Sequence, residues 1–357
     1  MSEENDTVGP AGNNEVDVAS DAGGPPAIID DADPLEEPEV GDGDITPESH
    51  DPLDGGSVVD AASPSPSDPP PPVPLDVAVL SDLNGSYGST TYRPEVHAAV
   101  QALVDDPPAL VLLTGDLVAG QKAGLDYAAM WAGFHDAVTI PLTEAGIPVA
   151  VTPGNHDASS YAAYATEREH FAAEWAEHRP ALNFVDDSHY PFRYAFTAGT
   201  TLFVALDDTR VGALDNAQEE WLDDVLDHPA ETKIVFGHIP LYPFAQGRET
   251  EIIGDADLEA LLIAHDVTLF VSGHHHAYFP GRRGNLRLVS MACLGDGPRV
   301  LLGTTGASPR SLVRFRIDAG ELELDAYTGV TFHDVVNRES LPPFVGSGAS
   351  RVERDDL

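Results

Sequence analysis

Residues 149–157 read Val149-Ala150-Val151-Thr152-Pro153-Gly154-Asn155-His156-Asp157, a short apolar run that passes directly into a polar turn. A run of this length, bounded by Pro and Gly, is the signature of a buried strand, and the turn sets Asn, His and Asp at its carboxyl end. The pattern recurs along the chain. Val77 to Leu80 ends in Ser81-Asp82, Leu110 to Leu113 in Thr114-Gly115-Asp116, and Leu202 to Leu206 in Asp207-Asp208. Ile234 to Phe236 ends in Gly237-His238, and Leu269 to Val271 in Ser272-Gly273-His274. In open α/β sheets, ligand groups gather just outside the carboxyl ends of the strands. Five of these six ends are expected to deliver Asp, Asn or His to one rim, while the Asp207-Asp208 pair is read as structural.

Between the runs lie amphipathic stretches with helical spacing: Pro94 to Val104, Leu125 to Ala137, Tyr161 to Glu177, Asn216 to Leu226 and Asp257 to Ala264. Alternating strand and helix signals give an α/β class. Trp221, Leu222, Val225 and Leu226 share one helical stripe and are assigned to packing. Further on, Leu286 to Met291, Leu312 to Ile317 and Leu322 to Tyr327 read as strands that complete a second sheet. The last two form a hairpin across Asp318-Ala319-Gly320. The domain is expected to span residues 75–330, with a polar C-terminal tail over 331–357.

Charge separates the N-terminus from the rest. Of 357 residues, the first 74 hold 19 of the 60 acids and none of the 18 Lys and Arg, and the whole chain carries −42. Such a segment, rich in Pro, Gly and Ser, buries too little apolar surface to offset its entropy, so 1–74 is expected to be a disordered tail or stalk. The acidic balance of the remainder argues against an extended nucleic-acid or anionic-membrane surface, which needs clustered Lys and Arg. A single cysteine, Cys293, excludes an intrachain disulfide framework and a thiolate zinc site. No apolar run reaches the roughly 18 residues of a membrane span, so the chain as given reads as soluble. An acidic, Pro-rich leader ahead of an enzyme also resembles the stalk that follows a removed signal or lipoprotein segment, which leaves extracytoplasmic and cytoplasmic locations both open.

Carboxylate oxygens and imidazole nitrogens without thiolates suit Mn, Fe, Zn or Ni. Two such ions about 3.5–4 Å apart clamp a phosphate, generate hydroxide near neutral pH and stabilise the leaving oxygen. One carboxylate must bridge them, and Asp116, after a strand and the flexible Gly115, is the natural bridge.

Asp82-x-Asn84, Gly115-Asp116, Gly154-Asn155-His156-Asp157, Gly237-His238 and Gly273-His274-His275-His276 resemble, in order and spacing, the five motifs of the calcineurin-like metallophosphoesterase superfamily. The resemblance runs from Leu75 to about Tyr327 and includes the middle stretch Leu202 to Leu226. It implies a four-layer sandwich of two mixed β-sheets flanked by α-helices. It also implies two divalent or trivalent ions, the first held by Asp82, Asn84, Asp116 and His276 and the second by Asp116, Asn155, His238 and His274. His156 would then assist departure of the alcohol while a metal-bound hydroxide attacks phosphorus, and Asp157 would orient His156. The substrate would be a small phosphorylated molecule, monoester or diester. The runner-up is a catalytically weak metal-binding module on the same fold, against which His156 and Asp157 speak.

One motif position departs from the family, which usually has His where this chain has Asn84. An amide oxygen ligates more weakly than imidazole, and Tyr87, three residues on, is the competing candidate for that place. His275 is expected to be solvated or to support its neighbours. His135, His170 and His178 are assigned to surface or packing. For substrate contacts the candidates are Tyr87, Arg210 and Tyr242, with Arg248 and Arg299 as further loop arginines able to grip phosphate oxygens.

Overall fold

A computed structural model describes residues 74–357; the acidic segment expected to be disordered lies, but for Pro74, outside the described residues. The first sheet holds β1 (Leu75–Leu80), β2 (Leu110–Thr114) and β3 (Val149–Thr152), all parallel. The second is built from β4 (Asn183–His189), β5 (Arg193–Ala198), β6 (Thr201–Ala205), β7 (Thr232–Phe236), β8 (Leu269–Ser272), β9 (Phe279–Arg283) and β10 (Leu286–Ser290). Within it β6, β7, β8 and β10 run parallel as neighbours. The chain then returns to the first sheet with β11 (Leu312–Asp318), β12 (Glu321–Thr328) and β13 (Asp334–Val335), and ends in the second with β14 (Phe344–Val345) and β15 (Val352–Arg354).

The central strands of both sheets are apolar on both faces, and the alternation sorts their side chains into layers. Val77, Val79, Leu110 and Leu112 face Phe203, Ile234, Phe236, Leu269 and Val271 across the space between the sheets. The intervening Ala78, Leu80, Val111 and Leu113 pack instead against α1 (Pro94–Asp105), α2 (Tyr127–Phe134), α3 (Ile140–Glu144) and α4 (Ala165–Glu177). On the far side, Leu202, Val204 and Val235 meet Leu222 and Leu226 of α5 (Asn216–Leu226) and Leu258 and Leu262 of α6 (Ala256–Ala264). The result is helix, sheet, sheet, helix, the four layers expected. β3 is an edge strand, and the Tyr194 hydroxyl from the second sheet covers it, donating to the Val151 carbonyl at 2.7 Å and accepting from the Val151 N–H at 2.8 Å. That contact fixes the strand that leads into Gly154-Asn155-His156-Asp157.

Several expectations change. Leu312–Asp318 and Glu321–Thr328 do form the expected hairpin, but β11 pairs antiparallel with β1, so both belong to the first sheet. The segment expected to be a polar tail carries three strands. Its last, β15, pairs with β9 at Glu353↔Arg282, and Val345 and Val352 are buried in the core on that side. The polar look of 331–357 reflects short strands at or next to a sheet edge, of which β14 and β15 alternate buried and exposed residues and β13 is exposed throughout. β4, β5 and β9 escaped the sequence reading because β4 is mostly polar and β9 contains Pro280 and Gly281, residues that weaken a strand signal. The helix expected to end near Ala137 continues to Glu144 through a widened turn at His135–Thr139, where the Ile140 N–H donates to the His135 carbonyl.

Candidate metal centre

The carboxyl ends of β1, β2, β3, β6, β7 and β8 converge, and the loops after them bring the sequence-expected donor groups together. One donor atom from each of Asp82, Asp116 and His276 lies within 4.8 Å of the others, and the same holds for Asp116, His238 and His274. Asp116 is common to both groups. Asp82 is fully buried and Asp116 is 2% exposed, with His276 Nε2 3.0 Å from Asp82 Oδ1 and His238 Nε2 3.4 Å from Asp116 Oδ1.

Backbone geometry is what brings these groups so close. Asp82, Asp116, His274 and His276 all have positive φ, between 50° and 63°, a region that non-glycine residues rarely enter. Four such residues in one cluster are a reservoir of strain of the kind that collects at functional sites. The motif glycines make room for this packing. A Cβ on Gly115 (φ +82°) would meet Gly154 Cα at 2.6 Å and His238 Nδ1 at 2.7 Å, and one on Gly154 would run into the Asp116 backbone.

The imidazoles are held so that one nitrogen faces the cluster. His238 Nδ1 sits 2.8 Å from the Thr114 carbonyl and His276 Nδ1 2.9 Å from the Gly297 carbonyl. A ring nitrogen beside a carbonyl carries a proton, so in each ring Nε2 is the atom turned toward the carboxylates and the one that would ligate a cation, the arrangement typical of metal-bound histidine. Asn155 Nδ2 donates to Gln121 Oε1 at 3.2 Å, which turns its Oδ1 to within 3.0 Å of His238 Nε2. Asn84, also buried, has Nδ2 3.5 Å from the Val118 carbonyl, leaving Oδ1 for the cleft it lines.

Charge in the cluster points to cations. Burial opposes a charge on His238, yet the Asp116 and Asp82 carboxylates push it up to about 10. Burial likewise opposes a charge on His276, and Asp82 pushes it well above the usual histidine range. Burial would raise Asp82, but His276 holds it below its ordinary value. Two buried carboxylates thus draw positive charge onto the neighbouring imidazoles, and divalent cations answer the same demand with the same donor atoms. The donor set of carboxylate, imidazole and amide fits Mn, Fe, Zn or Ni.

Not every expected site residue behaves as its motif suggested. Asp157 does not touch His156. Its Oδ1 accepts from the Leu117 and Val118 amides at 2.6 and 2.8 Å and its Oδ2 from Gly154 N–H at 2.9 Å, tying the Asp116 loop to the Asn155 loop. Burial and the Asp116 charge push Asp157 up to about 8. His156 is instead held by its own N–H, donated to Asp116 Oδ1 at 2.8 Å, by Nδ1 3.4 Å from the Gly120 carbonyl, and by the Tyr87 ring 5.6 Å away. Asp208 has a similar backbone role, accepting from the His238 and Ile239 amides at 2.6 and 3.1 Å. His275 is not solvated: fully buried, it accepts the Phe244 N–H at Nδ1 and donates from Nε2 to the Glu251 carbonyl at 2.9 Å.

A cleft of about 670 Å³ opens over the cluster, lined by His156, Tyr87, Arg210, Arg248 and Arg299 among others. Tyr242 is outside it. Its hydroxyl donates to Glu259 Oε2 at 2.7 Å and Arg283 lies over its ring, so closeness in sequence to His238 was a poor guide to position. Sequence reasoning missed Glu251, whose Oε2 is 3.1 Å from His274 Nε2 and which also pairs with Arg248. It also missed Gln121, which orients Asn155. Neither residue stands beside a motif.

Similarity to known proteins agrees with this construction. The family described as calcineurin-like phosphoesterase matches residues 75–278, more than half of the chain. No curated protein matches the sequence. Among solved structures, the purple acid phosphatase PPD1 from yellow lupin (Lupinus luteus) seeds shares the fold at TM-score 0.58 and 16% identity, over 74% of this chain and 53% of that one. PhoD does so at 0.55 and 12%, over 74% and 68%, and GAP50, the anchor in the inner membrane complex of Plasmodium, at 0.53 and 14%, over 74% and 87%. The chain thus spans about half the length of the lupin protein, and at these identities the likeness concerns the fold alone. The chain belongs to the calcineurin-like phosphoesterase family, and metal-dependent phosphoester hydrolysis is the chemistry its converging donor set suits.

Proposed function

We propose that this protein hydrolyses small phosphomonoesters at a binuclear metal centre. The observation that carries the reading is that Asp116 belongs to both three-residue donor groups, one with Asp82 and His276 and one with His238 and His274. Asp82, Asn84, Asp116 and His276 would hold one ion, and Asp116, Asn155, His238 and His274 the other. When bound, the two ions neutralise the phosphate's charge and lower the pKa of water at the site. The chain's own residues do the rest. His156 donates a proton to the departing alkoxide, Tyr87 packs beside that ring, and Asp157 and Gln121 keep the loops that carry Asp116 and Asn155 in register.

The preference for monoesters rests on the arginines of the cleft. A terminal phosphate carries more charge and more unesterified oxygens than a diester, and each arginine that reaches it adds charge-assisted hydrogen bonds. Arg210 has no acidic partner among the described residues, and the half-buried Arg299 has a buried Nε without a hydrogen-bond partner. Both guanidinium groups are free to take substrate oxygens.

The test is metal analysis joined to a substrate panel. Metal-stripped protein, reloaded separately with Mn, Fe, Zn and Ni, is assayed on para-nitrophenyl phosphate, its bis ester, nucleotides and cyclic nucleotides. The reading expects two ions in the cleft and faster turnover of the monoesters. Two bound ions with no turnover of any ester would favour the metal-binding module, and faster turnover of the bis ester would overturn the monoester assignment.

A further inference from the structure

A second group of donor atoms lies at the other end of α4, away from the cleft, where the widened turn between α2 and α3 meets the last residues of α4. The turn at His135–Thr139 departs from regular α-helix, its closing Ile140 N–H reaching back five residues to the His135 carbonyl. Such inserted turns cost regular hydrogen bonds and are frequent at functional sites. This one presses His135 against His178, the two rings stacking at 3.7 Å, and brings His135 Nε2 to 3.4 Å from Glu174 Oε2.

Both imidazoles have one nitrogen already engaged. His135 Nδ1 lies 3.1 Å from Thr139 Oγ1 and His178 Nδ1 3.1 Å from the Glu174 carbonyl. The Glu174 carbonyl fixes the His178 proton on Nδ1 and leaves its Nε2 as an acceptor, while the Thr139 hydroxyl can either donate to His135 Nδ1 or accept from it. His135 is 5% exposed, and its Nε2 is buried with no hydrogen-bond partner. A buried polar atom left in that state costs free energy unless something engages it. One donor atom from each of His135, Glu174 and His178 lies within 4.8 Å of the other two. Ions bound at about 2.0–2.1 Å in a tetrahedron have ligands roughly 3.3 Å apart, close to the spacing of His135 Nε2 and Glu174 Oε2.

We propose that His135, Glu174 and His178 form a separate cation site, taking Zn²⁺ or a similar borderline divalent ion through His135 Nε2, a Glu174 carboxylate oxygen and His178 Nε2, with water completing the shell. Trp131, Phe134 and Trp175 surround His135 with apolar rings, while a cleft lined by Thr139, Trp175 and His178 opens beside it and gives an ion access. Burial and the neighbouring His178 push His135 down to about 4, so its ring is neutral and ready to ligate near neutral pH. Binding requires the half-buried His178 ring to turn out of its stack. The site is structural. It clamps α4 to the turn between α2 and α3, and the opposite end of α4 supports the cleft loops, with Glu167 accepting from Gln121 N–H and Arg168 pairing with Asp207.

The test counts metal in the full chain. Wild type, Glu174→Gln/His178→Gln and Asp82→Asn/Asp116→Asn are stripped with chelator, equilibrated with Zn²⁺, and analysed for bound zinc and melting temperature. The Glu174→Gln/His178→Gln variant should hold one equivalent fewer than wild type while keeping its circular dichroism and hydrolysis rate. The Asp82→Asn/Asp116→Asn variant should retain one equivalent and melt several degrees higher with zinc than without, a rise that adding His178→Gln abolishes. Should the Asp82→Asn/Asp116→Asn variant fail to fold, the difference between wild type and Glu174→Gln/His178→Gln still decides. Equal zinc content in those two proteins would overturn the proposal, whether or not the cleft proves to be binuclear.

Discussion

At the floor of the cleft, Asp82, Asp116, His238 and His276 are buried and held by one another and by backbone carbonyls. At its mouth, Tyr87 is 55% exposed and Arg210 lines the cleft without an acidic partner among the described residues. The floor is over-determined, because each side chain there is fixed by a positive φ, a close-packed glycine or a hydrogen bond to its second atom. The mouth is less determined, Arg210 having no acidic partner among the described residues and Tyr87 only the His156 ring beside it until substrate arrives. Floor residues should therefore govern whether metal is held, and mouth residues how substrate is gripped.

The hardest test of that division is Asp116→Asn. An amide in place of the shared carboxylate removes the charge common to both donor groups, so bound metal should fall and kcat/KM should drop about 10³-fold or more, the worth of several kcal/mol of charge stabilisation. Full metal content in this variant, measured by elemental analysis after dialysis, would show that Asp116 is not the bridge. His156→Ala comes next, because His156 touches Asp116 only through its backbone N–H. It should lose about 10²–10⁴-fold in kcat, the reach of a general acid, and keep its metal. The loss should shrink for esters with good leaving groups. A metal-depleted His156→Ala protein would move this residue from the mouth to the floor.

The same division explains what was legible in the sequence. Asp116, Asn155, His238 and His274 each follow a Gly in a short turn after an apolar strand, because only that local geometry lets two loops approach as Gly115 and Gly154 do, so there the motif and the position are one fact. Mouth and support residues carry no such mark. Glu251 reaches His274 from a loop whose sequence shows no spacing signal, and Tyr242, four residues after His238, was drawn away to Glu259 and Arg283. Asp157 was legible as a motif residue but not in its task, since sequence does not reveal whether a carboxylate faces a ring or three backbone amides. In the fold, the parallel strands were readable from their apolar runs, whereas β4, β9 and β15 were hidden by the polar or Pro-containing composition of edge and near-edge strands.

Arg299→Ala and Arg210→Ala probe the mouth alone. Each should cost about ten- to hundredfold in kcat/KM for a monoester, the value of one charge-assisted hydrogen bond, with metal content unchanged and a smaller loss for the bis ester. Equal losses on both esters would mean that the arginines support the cleft without reading the terminal phosphate.

Asn84 lies on the boundary between the two regions, and its substitution gives the smallest and most discriminating change. It follows Asp82 by two residues, is 7% exposed, and its amide nitrogen faces the Val118 carbonyl, so the oxygen is the atom left for an ion. Tyr87, the other candidate, is largely exposed and packs its ring toward His156, which suits a wall of the mouth better than a ligand. Each ion would have one amide ligand, but the site of Asp82 and His276 offers one imidazole where that of His238 and His274 offers two, so it should hold borderline ions more loosely and accept Mn more readily than Zn. Activity of stripped protein should then recover in two phases as Mn is added. Asn84→His should tighten the weaker phase until the two merge, and Asn84→Ala should weaken it by about 10–100-fold, as loss of support at a metal site does. Tyr87→Phe should leave both phases where they are. If instead the phases ignore both Asn84 variants and shift in Tyr87→Phe, then Tyr87 belongs to the floor, and an exposed side chain will have taken the place that the buried amide was expected to fill.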